Sequence, residues 1–241
     1  MEQIYTIPVN EAFDASAADH KCGCPMCALY RRLEENELEL ILGASMMEPD
    51  VRIQTNKEGF CHTHYDMMFV RKNRLGMALT LESHLKELAG DLAPAGLLGS
   101  LVGNAAGKQM KRVSALEGSC YVCRRVNFHF EHMAETVVLL YDTDEAFRKK
   151  LSAQPYFCLP HYRLLLEKAD VRMNKKKLAE FSAEIGTVVR NYLETLTEDI
   201  SWFCKKFDYR YDAEPWKNAK DSVERAIKFL RSDLHGAPDK R

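Results

Sequence analysis

The chain has 241 residues, 46% hydrophobic and 29% charged, enough for one large domain or two small ones around a sizeable core. Its formal net charge of −1 excludes the basic excess of a dedicated nucleic-acid binder. No stretch reaches the roughly 20 apolar residues of a membrane-spanning helix; the most apolar, LAPAGLLGSLVG at 92–103, is interrupted by Pro94 and three glycines.

The N-terminal MEQIYTIPVNEAFDASAADH has neither a basic start nor an apolar run of signal-peptide length. A cytoplasmic protein is expected, where thiols stay reduced and clustered cysteines point to metal rather than to disulfides. At 21–27 the chain reads KCGCPMC. Pro25 suits the first turn of a helix beginning near Cys24. ALYRRLEENELELILG (28–43) continues it, with Leu29, Leu33, Leu40 and Ile41 set among charges and Gly43 as its stop.

The polar stretch MMEPDVRIQTNKEGF (46–60) comes next, and Gly59 marks a break before a helix carrying Cys61 and His64. Ala78, Leu81, Leu85, Leu88 and Leu92 then step by 3, 4, 3 and 4, the stripe of an amphipathic helix. Residues 90–119 hold six glycines and Pro94 and read as a linker, apolar enough to contain a short docked helix. Gly107-Lys108 lacks both the Ser/Thr and the earlier glycine of a phosphate-binding loop. A second CxxC, Cys120-Tyr-Val-Cys123, and a second aromatic-CxxH, Phe157-Cys158-Leu159-Pro160-His161, follow.

Leu178, Phe181, Ile185, Val188, Tyr192, Leu196, Ile200, Phe203 and Phe207 then mark one long amphipathic helix of about eight turns. Cys204 within it is expected to be a small buried filler. The chain closes on a second polar stretch, FDYRYDAEPWKNAKDSVERAI (207–227). Alternating runs suited to strands are absent, so the expected class is all-α.

The cysteines reveal an internal repeat. Cys24 and Cys120, like Cys27 and Cys123, stand 96 positions apart; Cys61 and Cys158, like His64 and His161, stand 97 apart. Four coincidences of residue type at offsets that differ by a single residue indicate a duplication. Cys22 and His62 have no counterpart, so Cys24 and Cys27 are the working pair of the first motif. The expected architecture is a helical bundle of two tandem repeats, 1–92 and 120–241, joined by the linker 93–119, with the long helix and a C-terminal helix in the second. Each repeat is expected to be stapled by its own site: Cys24, Cys27, Cys61 and His64 in the first, Cys120, Cys123, Cys158 and His161 in the second.

Three thiolates and one imidazole suit tetrahedral zinc, which predicts two zinc ions per chain. An iron–sulfur cluster is the competing occupant, although all-cysteine ligation is its commoner form. Thiolates at helix N-termini are favoured by the positive end of the helix dipole.

Three functional classes follow. The first is a zinc-stapled scaffold or interaction protein with a protein partner of unknown identity. The second is a thiol/zinc redox sensor in which Cys22 exchanges into the first site when a ligand is oxidised. The third is an enzyme of unidentified reaction with a site near 46–60 and 207–227, where Asp50, Arg52, Asn56, Asp208, Arg210 and Trp216 are contact candidates. His20, His62, His84, His129, His132 and His235 are scattered and compose no catalytic constellation. The basic clusters Lys108/Lys111/Arg112 and Lys175/Lys176/Lys177 read as solvated helix faces, without specific nucleic-acid binding.

The motifs CPMC, MMEPDVRIQTNKEGFC-x-x-H, NRLGMALTLESHL, CYVC, FCLPHY and DYRYDAEPWKNAKDS together resemble an uncharacterised bacterial, Firmicute-type family of unknown function with duplicated CxxC…FCxxH motifs. The resemblance spans nearly the whole chain. It implies a cytosolic bacterial protein in which both Cys3His sets are family features and Cys22 and His62 are not. It implies no activity, substrate or partner.

Overall fold

The computed structural model describes residues 3–93 and 105–235, and every regular element among them is helical. In chain order these are α1 (Gln3–Ala18), α2 (Pro25–Leu42), α3 (Pro49–Glu58), α4 (His62–Val70), α5 (Arg74–Asp91), α6 (Ala105–Glu117), α7 (Tyr121–Thr143), α8 (Glu145–Ser152), α9 (Leu159–Arg172), α10 (Lys175–Lys205) and α11 (Ser222–Arg231). The all-α expectation holds. The linker expected at 93–119 contains α6, and its residues 94–104 lie outside the described residues.

The compact units are not the two tandem halves. One unit combines the described residues up to Arg31 with those from Phe130 onward, and the other runs from Arg32 to His129. The chain passes from one to the other within α2 and returns within α7.

In the first unit, α10 shows the expected stripe. Phe181, Ile185, Val188 and Leu196 are buried, and Tyr192 and Phe203 are half-buried. Phe181 packs edge-on to Tyr141 of α7, ring centroids 4.8 Å apart, and Phe13 of α1 meets Phe147 of α8 at 5.0 Å and Phe157 at 6.0 Å. Cys204 is exposed, contrary to expectation. One residue past Phe203 means about 100° around the helix, which takes its side chain off the buried stripe. Phe207, expected to extend that stripe, is 76% exposed because the helix ends at Lys205.

In the second unit the buried face of α5 is Met77, Thr80 and His84, not the expected leucine stripe; Leu85 is 59% exposed. Polar bonding to α3 sets this rotation. Arg52 Nη1 donates to Ser83 Oγ at 2.9 Å, Ser83 Oγ donates to Asn56 Oδ1 at 2.9 Å, and His84 Nδ1 donates to the Asn56 carbonyl at 2.8 Å. Likewise α2 buries Leu38 and Ile41 but exposes Leu40.

Candidate metal centres

Four short motifs start four helices. Pro25 opens α2 directly after Cys24, and Tyr121 opens α7 directly after Cys120. Cys61 and Cys158 are the N-cap residues of α4 and α9. The positive helix ends therefore face sulfur in every case.

The motifs combine across the sequence halves. Cys24, Cys27, Cys158 and His161 form one cluster in the first unit; Cys61, His64, Cys120 and Cys123 form another in the second. Each CxxC thus meets the CxxH of the other half, which corrects the expectation that each half closes its own site. The ligand atoms of each group lie within 4.8 Å of one another.

Two positive-φ glycines bring the motifs together. Gly59 (φ 60°) accepts from the Tyr121 amide at 3.0 Å, joining the approach to Cys61 to the start of α7, and Ser119 Oγ donates to the Glu58 carbonyl at 2.6 Å. A Cβ at Gly59 would meet Leu116 at 2.7 Å. In the first unit Gly23 (φ 74°) accepts from Ser16 Oγ, and a Cβ there would come within 3.0 Å of the Tyr156 hydroxyl, next to Phe157-Cys158. Both backbones are ones that only glycine adopts at little cost.

The separations match a single tetrahedral ion. Bonds of about 2.3 Å to sulfur and 2.0–2.1 Å to nitrogen imply S···S edges of about 3.8 Å and S···N edges of about 3.5 Å. In the first cluster Cys27 and Cys158 sulfurs are 3.7 Å apart, and His161 Nδ1 lies 3.6, 3.4 and 3.1 Å from Cys24, Cys27 and Cys158. In the second, Cys61 and Cys123 sulfurs are 3.8 Å apart, and His64 Nδ1 lies 3.1, 3.2 and 3.4 Å from Cys61, Cys120 and Cys123. Both imidazoles present Nδ1.

The surroundings of the two clusters differ. His64 Nε2 donates to Glu34 Oε1 at 3.0 Å, with both side chains essentially buried. A carboxylate behind a ligating imidazole fixes its tautomer and raises its basicity. Burial alone would disfavour charge on His64, but hydrogen bonds to Cys120 and Glu34 outweigh it and raise its pKa to about 10. Burial also opposes a Cys120 thiolate, yet the His64 hydrogen bond brings that thiol down to about 6. In the first cluster burial pushes Cys24 up to about 12 and His161 down to about 4. There the Asp233 amide donates to Cys27 Sγ at 3.4 Å, and the Phe130 ring lies 5.2 Å from that of His161. Three enclosed thiols become stable as thiolates only with a compensating positive charge, which a divalent cation among them would supply.

Cys22 stands outside both clusters, half-buried in the short turn His20–Cys22. His62 pairs with Asp66 on the exposed side of α4. Arg52 and Asn56 are spent on the α3–α5 contact, and Asp208 pairs with Arg210. The stretches 46–60 and 207–227 belong to different units. Of the basic clusters, Arg112 pairs with Asp91 at 2.6 Å and Lys177 pairs with Asp142. No helix of the described residues is long and apolar enough to cross a membrane.

Sequence reasoning missed Glu34, Glu37 and Lys206, all buried polar residues. Glu37 accepts from Arg125 at 2.7 Å. The signal for Glu34 was present: it falls on the same helical face as Tyr30, Leu38 and Ile41, where an acid needs a buried partner.

No curated protein and no solved structure matches the chain. A family model covers residues 1–237, and the chain belongs to that family, the family of unknown function DUF6062.

Proposed function

We propose that the protein is a cytoplasmic, zinc-stapled helical scaffold that presents its surface to a protein partner. The observation that carries this reading is the pair of Cys3His clusters whose separations suit one tetrahedral ion each. Zinc would be held by Cys24, Cys27, Cys158 and His161 in one unit and by Cys61, His64, Cys120 and Cys123 in the other. Four protein ligands close such a site and leave no open position for substrate, the arrangement of structural rather than catalytic zinc. The zinc would cross-link segments more than a hundred residues apart in the first unit and about sixty in the second, as the ligand separations imply. An iron–sulfur cluster is disfavoured because a multi-iron core would hold its ligands farther apart.

The duplication belongs to the same proposal. It is supported by the matching starts of α2 and α7 and of α4 and α9 at equivalent cysteines. Membership of the scaffold class also rests on how the polar residues of 46–60 are used, since Arg52 and Asn56 hold helices together. The pairing of Arg112 and Lys177 with acids supports the absence of specific nucleic-acid binding.

Elemental analysis of the purified chain is the test. About two zinc ions per chain are expected. Absence of zinc, or a visible iron–sulfide absorbance, rejects the reading. A second reading, the thiol/zinc redox sensor, is favoured by one observation: Cys22 lines the same cleft as Cys24 and Cys27.

A further inference from the structure

The two clusters differ in how far they shut out solvent. In the first, Cys24, Cys27 and Cys158 are at most 2% exposed, and His161 is buried. Cys24 and Cys27 border a cleft of about 650 Å³, but these fractions leave almost no sulfur surface open to it. The Asp233 amide also donates to Cys27 Sγ at 3.4 Å. In the second cluster Cys120 and His64 are buried, whereas Cys61 and Cys123 are half-buried.

The accessible side of the second cluster thus carries two of its thiols, with their sulfurs 3.8 Å apart. The third thiol, Cys120, is covered, and its sulfur accepts from the Cys123 amide at 3.5 Å. A hydrogen bond accepted by a thiolate lowers its nucleophilicity, so Cys120 is the least reactive of the three.

The segments bearing Cys61 and Cys123 are joined by bonds that need no metal. The Tyr121 amide donates to the Gly59 carbonyl at 3.0 Å, two residues from each cysteine. Ser119 Oγ donates to the Glu58 carbonyl at 2.6 Å, and Arg124 pairs with Glu58 at 2.7 Å. A disulfide requires sulfurs about 2.0 Å apart, so this pair must close by roughly 1.8 Å, from backbones already clamped together.

We propose that the second cluster is an oxidant-responsive metal site: a peroxide joins Cys61 to Cys123 as a disulfide and frees the zinc, while the first cluster keeps its own. One of the two outer thiolates attacks a peroxide oxygen. The O–O bond breaks, hydroxide leaves, and a sulfenic acid forms. The other thiolate attacks that sulfur, forming the S–S bond and expelling a second hydroxide. The two thiolates lose two electrons and the peroxide gains them. Zinc is left with Cys120 and His64, two ligands of four, and passes to water or a chelator. The new bond ties the start of α4 to α7, the segments the ion had joined. The inference rests on the zinc reading above and places redox sensitivity on a metal-bound pair, away from Cys22.

The test uses the full chain, loaded with zinc and freed of reductant, with its zinc content measured first. Hydrogen peroxide is added beside a chromophoric chelator. Roughly one zinc equivalent should be released and the other retained. Proteolysis without reductant and mass spectrometry should find Cys61 linked to Cys123, with Cys24, Cys27 and Cys158 still alkylated after unfolding. Thiol reductant and added zinc should then restore the full content. Replacing the two thiols outside the clusters, Cys22→Ser with Cys204→Ser, should leave the release unchanged. A chain that starts without zinc rejects the proposed function and this inference together. A chain that carries zinc but releases none, releases both ions in one step, or empties the first cluster first overturns this inference alone. So does a Cys120–Cys123 disulfide in place of Cys61–Cys123, metal that cannot be restored, or release abolished by the double substitution.

Discussion

Glu34 is 1% exposed, and its carboxylate sits 3.0 Å from His64 Nε2. Outer-sphere partners of this kind change metal affinity by about 10–100-fold when removed. Glu34→Gln should therefore weaken zinc at the Cys61/His64/Cys120/Cys123 cluster by that factor and leave the other cluster unchanged. Competition against a chromophoric chelator reads this as one of two release steps moving; both moving together contradicts it. A second residue contrast concerns two cysteines. Cys158 is fully buried and Cys204 exposed. Structural zinc contributes on the order of 10–16 kcal/mol in small domains, so Cys158→Ser should lower the melting temperature sharply while Cys204→Ser leaves it close to the parent. Equal melting temperatures refute the ranking. The clustered cysteines and histidines were legible because residue type and spacing mark sets that could hold a metal. Glu34 was missed because nothing in a single sequence names the partner of a buried acid. Cys204 was misplaced because one residue of helix rotation separates a buried position from an exposed one.

At the scale of elements, helix class and most boundaries were legible from caps and periodicity: Pro25, Gly59 and the α10 stripe as far as Phe203 act as read. The buried face of α5 was not, because a hydrogen-bonded contact with α3 outweighs the leucine pattern. The segment after α10 is governed by a similar polar device. Lys206 is 8% exposed, and its ammonium donates to the carbonyls of Tyr211, Asp212 and Glu214 at 2.7, 2.9 and 2.7 Å. Its charge gathers carbonyls of this irregular stretch, adding to the backbone bonds it makes, such as that from the Glu214 amide to the Tyr211 carbonyl at 3.1 Å. Lys206→Met keeps the stem but removes all three bonds, and should cost about 1–3 kcal/mol, the penalty of leaving such groups unsatisfied. Hydrogen exchange should quicken across 207–216 with little change in α5 or α6. Unaltered exchange in that segment refutes the role given to Lys206.

At the scale of the whole molecule, the matched spacing of the motifs made the members of the two Cys3His clusters legible but hid their pairing. Both halves supply chemically equivalent motifs at nearly equal spacing, so pairing within a half and pairing across halves look identical in sequence. Only the path of the chain, passing between units within α2 and α7, distinguishes them. This path makes a prediction that a tandem arrangement does not. Cys158→Ser removes a ligand from the cluster built on Cys24 and Cys27, so hydrogen exchange should rise in 3–31 and 130–235. Cys61→Ser should instead loosen 32–129. Fragments sharpen the contrast. Residues 1–119 contain one CxxC and one CxxH but neither complete cluster, whereas 32–129 contain Cys61, His64, Cys120 and Cys123 together. Because metal binding free energy is folding free energy when the site forms only in the folded state, zinc should give a cooperative thermal transition to 32–129 and not to 1–119. A transition in 1–119 alone, or Cys158→Ser loosening only 120–235, would restore the tandem pairing and refute the crossed one.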